Sequence, residues 1–172
     1  MILVGIGANL PAPDGATPLM TCRWAVERLA GLPRLRVDAV SQWYITSPVP
    51  PSGQPPYVNA VAQLSVEPVS ACIDPAALLA ALQGIEADAG RVRGELNAAR
   101  TLDLDIIAMG EKGRLVRAAP DPVLPHPRSH LRAFVLVPLL DVAPEWVHPV
   151  EGSTAAELLR RLPDQGVRLL RG

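Results

Sequence analysis

Two points in the chain combine a helix-capping residue with a proline at the first helical position, and this pairing constrains the fold more than any other feature. Thr17-Pro18 and Asp74-Pro75 each precede apolar residues at helical spacing. The Thr or Asp oxygen caps free N–H groups, and proline has no N–H to leave unpaired there. The spacing predicts two amphipathic helices, which end at Gly31 and Gly90.

Four apolar runs, at residues 1–6, 35–46, 57–66 and 101–109, have the length and composition of strands. Between the second and third lies SPVPPSGQPP (47–56), whose five prolines exclude a helix or a strand interior. The resulting order is βαββαβ, which is typical of a ferredoxin-like α/β (α+β) fold with an antiparallel sheet and two helices on one face.

The remainder of the chain predicts C-terminal helices near 132–142 and 153–162 and a last strand at 166–170. The 172 residues show no repeat and no domain boundary, so a single domain over 1–172 is expected. The start, MILVGIGANL, has no basic segment, and no apolar run is long enough to span a bilayer. We therefore expect a cytoplasmic protein in which Cys22 and Cys72, in no metal-binding spacing, are reduced thiols.

Arginine dominates the basic residues, since Lys112 is the one lysine among the 16. GC-rich coding explains this bias, but it does not explain why seven arginines lie between residues 91 and 132: Arg91, Arg93, Arg100, Arg114, Arg117, Arg128 and Arg132. The net charge is −1. A near-neutral protein with a local arginine cluster suits a small polyanion better than a nucleic acid.

Two aspartates interrupt the apolar run ARTLDLDIIAMG (99–110). Alternation along a strand places Asp103 and Asp105 on one face, roughly 7 Å apart at Cα, and Leu104 and Ile106 on the other. A solvated strand face is one interpretation. The other is a magnesium–triphosphate site, because Mg²⁺ needs few carboxylates and the nearby arginines supply forks for phosphate oxygens. GIGANL lacks the spacing and the lysine of a P-loop.

Tyr57 and Asn59 also share one strand face, directly after the proline-rich loop. A ring beside an amide could hold a flat heterocycle with a polar edge, whereas routine packing and a turn role are the alternative. Phe134 is more typical of a core. His126, between two prolines and near Arg128, is either a phosphate contact or an exposed loop residue.

Five segments, GIGANL, Tyr44-x-Thr46 with QPPYVNAV, GIEADAGRVR, ARTLDLDII and LPHPRSHLRAFVLVPLLDVAP, occur in this order from residue 3 to about 150. Together they resemble the 6-hydroxymethyl-7,8-dihydropterin pyrophosphokinases of folate biosynthesis. The resemblance implies a monomeric ferredoxin-like enzyme that transfers the β,γ-pyrophosphate of ATP to the pterin hydroxymethyl group and releases AMP. ATP and the pterin would be its partners, without nucleic acid or membrane.

The resemblance also implies roles for individual residues. Asp103 and Asp105 would hold two magnesium ions and, with Arg91, Arg93 and Arg100, form the catalytic set. The ATP site would comprise those arginines with Gln83, Glu86, Ile106, His126 and Arg132. The pterin would stack between Tyr57 and Phe134, with its polar edge recognised by Asn59 and the backbone around Thr46, Pro48 and Val49.

The chain departs from the family pattern at two places. Ala8 replaces a usual serine, and GELNAAR (94–100) lacks the usual Trp-Gly-Pro and is one residue shorter. This change affects the expected closure of loop 91–99, which would exclude water from the reaction. A diverged paralogue that binds Mg-nucleotide with slow or altered substrate use is one alternative, and a non-catalytic ferredoxin-like binding module is another.

Overall fold

A mixed α/β architecture built on one antiparallel sheet is seen in a computed structural model, which describes residues 1–68, 71–92 and 98–171. In chain order the elements are β1 Ile2–Ala8, α1 Pro18–Ala30, β2 Leu35–Val40, β3 Tyr44–Thr46, β4 Tyr57–Val66, α2 Pro75–Asp88, β5 Asp103–Ala108, α3 Ala133–Val142, α4 Ala155–Arg160 and β6 Arg168–Leu169. Short 3₁₀ turns cover Glu111–Gly113 and Ser129–Leu131. The predicted fold class is confirmed.

The sheet order within the described residues is β5-β1-β4-β3-β6, with β2 paired to the far end of β4. The central strand β1 is antiparallel to both neighbours, and Gly7 lies opposite Asn59 on one side and Asp103 on the other. This register aligns Asn59 and Asp103, two residues that the sequence assigned to a site, on either side of Gly7.

Both predicted helix starts are confirmed. The Thr17 hydroxyl oxygen accepts a hydrogen bond from Met20 N at 3.3 Å, and the Asp74 carboxylate accepts one from Ala77 N at 3.0 Å. Each following proline occupies the first turn. The two helices therefore begin where local capping chemistry dictates.

The prediction of one strand over residues 35–46 is wrong, because β2 and β3 are separated at 41–43. Ser41 accounts for the break. Its N–H donates to Val61 O and its hydroxyl oxygen accepts from Val61 N, both at 2.9 Å. A side chain thus replaces a backbone acceptor of the ladder, and β3 continues along the other half of β4.

The two faces of the sheet are covered differently. One face carries Ile2, Val4 and Ile6 of β1 and packs against α1 and α2, including Leu29 and Leu82. The opposite face packs against α3 and α4 through a second apolar cluster that includes Leu3, Val61, Ile107, Leu136, Leu139, Trp146 and Leu158. No described helix is both long and apolar enough to cross a lipid bilayer.

Candidate active site

A cavity of about 840 Å³ opens on the second face, beyond the part that α3 covers. Its floor includes Gly5 and Gly7 of β1, which face the same side as Asp103 and Asp105 of β5. The walls come from the proline-rich loop, α2 and the segment 126–135. A cavity of this size is typical of sites that bind small molecules.

Asp103 lies at the centre of a half-buried charge network. Arg91 Nη1 donates to Asp103 Oδ1 at 2.7 Å, and Arg100 Nη1 donates to Oδ2. Arg91 also pairs with Glu86, which is 4% exposed and accepts from Leu104 N at 2.8 Å. Buried carboxylates need such partners, because an unpaired charge in this environment would be strongly destabilising.

Asp105, two residues along the same strand, is placed differently. Its side chain is 43% exposed, and His126 Nε2 lies 4.0 Å from its Oδ2. No hydrogen bond to its carboxylate is found in residues 1–68, 71–92 and 98–171. Burial of the carboxyl and the negative charge of Asp103, opposed by Arg132 and Arg100, together raise its pKa to about 6. The carboxylate is available to bind a cation.

His126 is fixed in the cavity wall. Its backbone N–H donates to Ile107 O at 2.9 Å, and its side-chain Nδ1 accepts from the backbone N–H of Arg128 at 3.2 Å. Burial lowers the pKa of His126 to about 4, with Arg132 and Arg128 acting in the same direction. The imidazole is therefore neutral at pH 7, with its proton on Nε2. With its side chain 19% exposed, His126 is not an exposed loop residue.

Arg132 and Phe134 form the wall at the start of α3. The Arg132 guanidinium carbon lies 5.3 Å from the centre of the Phe134 ring, in cation–π contact. Burial lowers the pKa of Arg132, and Arg128 acts in the same direction. The sequence context of Phe134 favoured a core position, but the residue lines the cavity instead.

The other end of the cavity, across Gly7 of β1 from Asp103, is an aromatic–amide pocket. Asn59 Nδ2 donates to Thr46 Oγ1 at 2.8 Å, and both residues are buried. Tyr57 lies on the same face of β4 as Asn59. The proline-rich loop is held above them, since Asn9 Nδ2 donates to Pro55 O at 3.1 Å and to Gln54 Oε1 at 3.3 Å.

The structure brings most of the proposed site residues to this one cavity: Thr46, Pro48, Val49, Tyr57, Asn59, Gln83, Glu86, Arg91, Arg100, Asp103, Asp105, His126, Arg132 and Phe134. Their individual roles stay predictions. Arg93 and most of loop 91–99 lie outside the described residues, so the expected loop closure also stays a prediction.

Ile106 is the exception. Its side chain is 4% exposed and packs in the core under α1 and α2, on the opposite face from Asp105. The Leu104 N–H donates to Glu86 rather than to β1, which shows that the backbone at Leu104 faces the outer edge of β5. Alternate residues face the same side, so Ile106 presents its backbone, not its side chain, at that edge. A nucleotide could contact Ile106 only through the backbone.

Sequence reasoning did not predict that Gly5 and Gly7 form the floor of the cavity. A β-carbon on Gly7 would lie 3.2 Å from Asn59 Oδ1, and one on Gly5 would lie 3.4 Å from Ile107 Cδ1. The signal was present, because Gly5 and Gly7 are two apart on a strand in the same way as the aspartates. Gln54, Arg128 and Ser129 also line the cavity and were not assigned to it.

The fold and cavity define a class of protein: a ferredoxin-like α/β protein whose site has a carboxylate–arginine end and an aromatic–amide end. Comparison with known proteins is more specific. The sequence profile of the 7,8-dihydro-6-hydroxymethylpterin-pyrophosphokinase (HPPK) family matches residues 3–144. The chain belongs to this family, and the resemblance seen in its motifs is confirmed.

Individual relatives agree with this assignment. The chain is 39% identical over 171 residues to a 2-amino-4-hydroxy-6-hydroxymethyldihydropteridine pyrophosphokinase of Pseudomonas aeruginosa, covering 99% of this chain and 97% of the relative. It is 36% identical over 161 residues to a Synechocystis protein of the same name, covering 93% and 75%.

A solved structure agrees on the fold. Wild-type Plasmodium falciparum HPPK-DHPS matches with a TM-score of 0.63 at 12% identity, covering 93% of this chain. This chain spans 44% of the length of that solved chain.

Proposed function

We propose that this protein transfers the β,γ-pyrophosphate of ATP to the hydroxymethyl oxygen of 6-hydroxymethyl-7,8-dihydropterin and releases AMP, as a step of folate biosynthesis. The family and the named relatives support the pyrophosphokinase activity. One observation carries the proposal to particular residues: a single cavity holds Asp103 and Asp105 among basic side chains together with Tyr57, Asn59 and Phe134.

The triphosphate belongs at the carboxylate–arginine end. Asp103 and Asp105 would hold two magnesium ions, and the oxygen-only donor set, with Asp105 lacking a hydrogen bond from any described residue, fits this cation. The cations would neutralise charge on the phosphate oxygens. In the described parts of the chain, no group of three or more His, Cys, Asp or Glu side chains could form a metal site of its own, which agrees with a cation held jointly by protein and phosphate.

Arg91 and Arg100 would redirect their guanidinium groups from Asp103 to phosphate oxygens, where planar forks form bidentate bonds. Arg132 would add a third positive charge. His126 would donate a hydrogen bond from its Nε2–H to a phosphate oxygen rather than act as a charged group, because its pKa of about 4 keeps it neutral. These groups align the reactants and stabilise charge, which is most of what such a transfer requires of a protein.

The flat pterin would stack between Tyr57 and Phe134, and Asn59 would bind its polar edge. Gly7 leaves the space beneath the ring open. The proposal includes action as a monomer, the state that the family resemblance implies. We place the reaction in the cytoplasm, where ATP and the pterin would both be available.

AMP release tests this function. Purified protein with Mg²⁺, ATP and the pterin should produce AMP only when the pterin is present. Chromatography measures the AMP. Asp103→Asn and Asp105→Asn should each reduce the rate of AMP release by about 100-fold or more. Each removes a negative charge that would hold magnesium at the carboxylate–arginine end. Asp88→Asn, an exposed carboxylate on α2, is the matched control and should leave the rate unchanged.

AMP without the pterin, or equal rates in all variants, would contradict the proposal. Metal-dependent ATP binding with no AMP release would instead support the diverged paralogue and direct attention to residues 94–100.

A further inference from the structure

The C-terminal segment 161–171 lies beyond the region that the family profile matches, yet it contacts the wall of the active site. The contact is made by Gln165. This residue is half-buried and comes 32 positions after the backbone N–H it binds at the start of α3.

The start of α3 has an unusual cap. Arg132 occupies the N-cap position with extended backbone angles of φ −121° and ψ 106°, and its own side chain does not cap the helix. The first helical N–H, that of Ala133, donates instead to Gln165 Oε1 at 2.8 Å. The side-chain oxygen that a local Ser, Thr, Asp or Asn would ordinarily supply therefore comes from a distant part of the chain.

The amide group of Gln165 also binds the peptide group that precedes Arg132. Gln165 Nε2 donates to Leu131 O at 3.1 Å, so a single side chain holds the peptide groups on both sides of Arg132. Arg132 itself packs over the Phe134 ring. Fixing the backbone on both sides of Arg132 consequently fixes the direction of two cavity side chains.

Gln165 is in turn anchored to the opposite wall. Just after it, β6 pairs with β3, and Leu170 N donates to Trp43 O at 2.8 Å. The strand β3 carries Thr46, which binds Asn59 in the aromatic–amide pocket. The C-terminal segment therefore links the wall that holds Thr46 to the wall that holds Arg132 and Phe134.

We propose that Gln165 is a positioning residue for the reaction, which holds Arg132 and Phe134 in the orientation that the two substrates require. The inference rests on the proposed function for the identity of those substrates. Gln165 acts through the backbone of residues 131–133 and not by contact with a substrate. Its contribution arises because side chains already held in place lose little freedom when ligand binds.

The test replaces Gln165 with methionine, which has a similar shape and no hydrogen-bonding amide. Surface water can solvate the released groups, so Gln165→Met is expected to fold. We expect kcat/KM for the pterin to fall about fivefold or more, with a raised KM, because Phe134 is no longer held. Arg168→Ala, an exposed residue of β6, is the matched control and should stay within about twofold of the parent.

Gln165→Glu gives a graded result, since it retains the acceptor for Ala133 N–H and loses the donor to Leu131 O. The expected order of kcat/KM is parent, then Gln165→Glu, then Gln165→Met. If Gln165→Met lowers only the melting temperature and leaves kcat and KM within about twofold, the amide is merely structural and the inference is overturned. If that variant does not fold, Gln165→Glu decides by the same criterion.

Pterin binding, measured by calorimetry with a non-hydrolysable ATP analogue and Mg²⁺, separates this inference from the proposed function. A parent protein that releases no AMP refutes the function. A weaker pterin affinity in Gln165→Met than in the parent still supports the positioning role, and equal affinities overturn it.

Discussion

The two faces of the sheet are built from the same strands and serve opposite purposes. On β5, Leu104 and Ile106 enter the core beneath α1 and α2, whereas Asp103 and Asp105, between and beside them, face the cavity. On β1, Val4 and Ile6 alternate with Gly5 and Gly7 in the same manner. One face is buried against α1 and α2 and contributes stability, whereas the other is buried only where α3 and α4 cover it and gives up burial elsewhere to leave room for ligands.

Four charged residues that line the cavity form ion pairs with one another. Glu86 and Asp103 are paired with Arg91 and Arg100, while Asp105 has no such pair among the described residues. A polar cavity of this kind persists because the apolar clusters on the two faces supply the stability. Three variants sharpen the comparison between the faces.

The largest effect on stability is expected on the sheet face that α1 and α2 cover. Leu64 of β4 is fully buried there, and Leu64→Ala should lower the free energy of unfolding by about 2–5 kcal/mol. Urea denaturation followed by circular dichroism measures this change. Leu169→Ala, 45% exposed on β6, should cost less than about 0.5 kcal/mol. Equal losses in the two variants would mean that this face is not the main source of stability.

A change on the cavity floor should affect substrate binding more than stability. The β-carbon of Gly7→Ala would press on Asn59 Oδ1 at 3.2 Å, so kcat/KM for the pterin should fall about tenfold while the affinity for MgATP stays within about twofold. Gly84→Ala in α2, where a β-carbon meets nothing within 4 Å, is the control and should raise stability by about 0.5–1 kcal/mol. Loss of MgATP affinity in Gly7→Ala would instead place the nucleotide over Gly7.

The smallest effect concerns the charge of Asp105. Its folded pKa of about 6 exceeds the usual 3.8. The folded state therefore binds the proton more tightly, and the stability of the metal-free protein falls as pH rises through this window. Asp105→Asn removes the penalty and should stabilise the protein by roughly 1 kcal/mol at pH 8, a value reduced for the exposure of the side chain, with no difference at pH 3.5.

Thermal unfolding in EDTA at several pH values measures this difference. Glu157→Gln gives the opposite sign, because hydrogen bonds from Thr154 lower the pKa of Glu157. Its ionised form stabilises the fold above the unfolded pKa, and that contribution is lost as pH falls through the folded pKa. A gain for Asp105→Asn that did not depend on pH would exclude charge as its cause.

Sequence reasoning succeeded where the determining contacts are local. The caps at Thr17 and Asp74 act over three residues, and β4 was predicted over 57–66, as the structure has it. It failed at Ser41, whose hydroxyl binds a strand 20 residues away, and at Gln165, whose partners lie more than 30 residues earlier. No periodicity within a short window reports such contacts. That residues 1–172 form a single domain stays a prediction.

The sequence by itself determined the helix starts, most strands, the alternation that separates Asp103 and Asp105 from Leu104 and Ile106, and the family. The elements and the alternation depend on capping and on the two-residue period of a strand, which are properties of neighbouring residues, whereas the family was identified from the resemblance of its motifs. Only the tertiary structure decided which part of the second face stays open. That outcome depends on where α3 and α4 pack and on how Gln165 and β6 connect the two walls of the cavity, because burial is decided by elements distant in the chain.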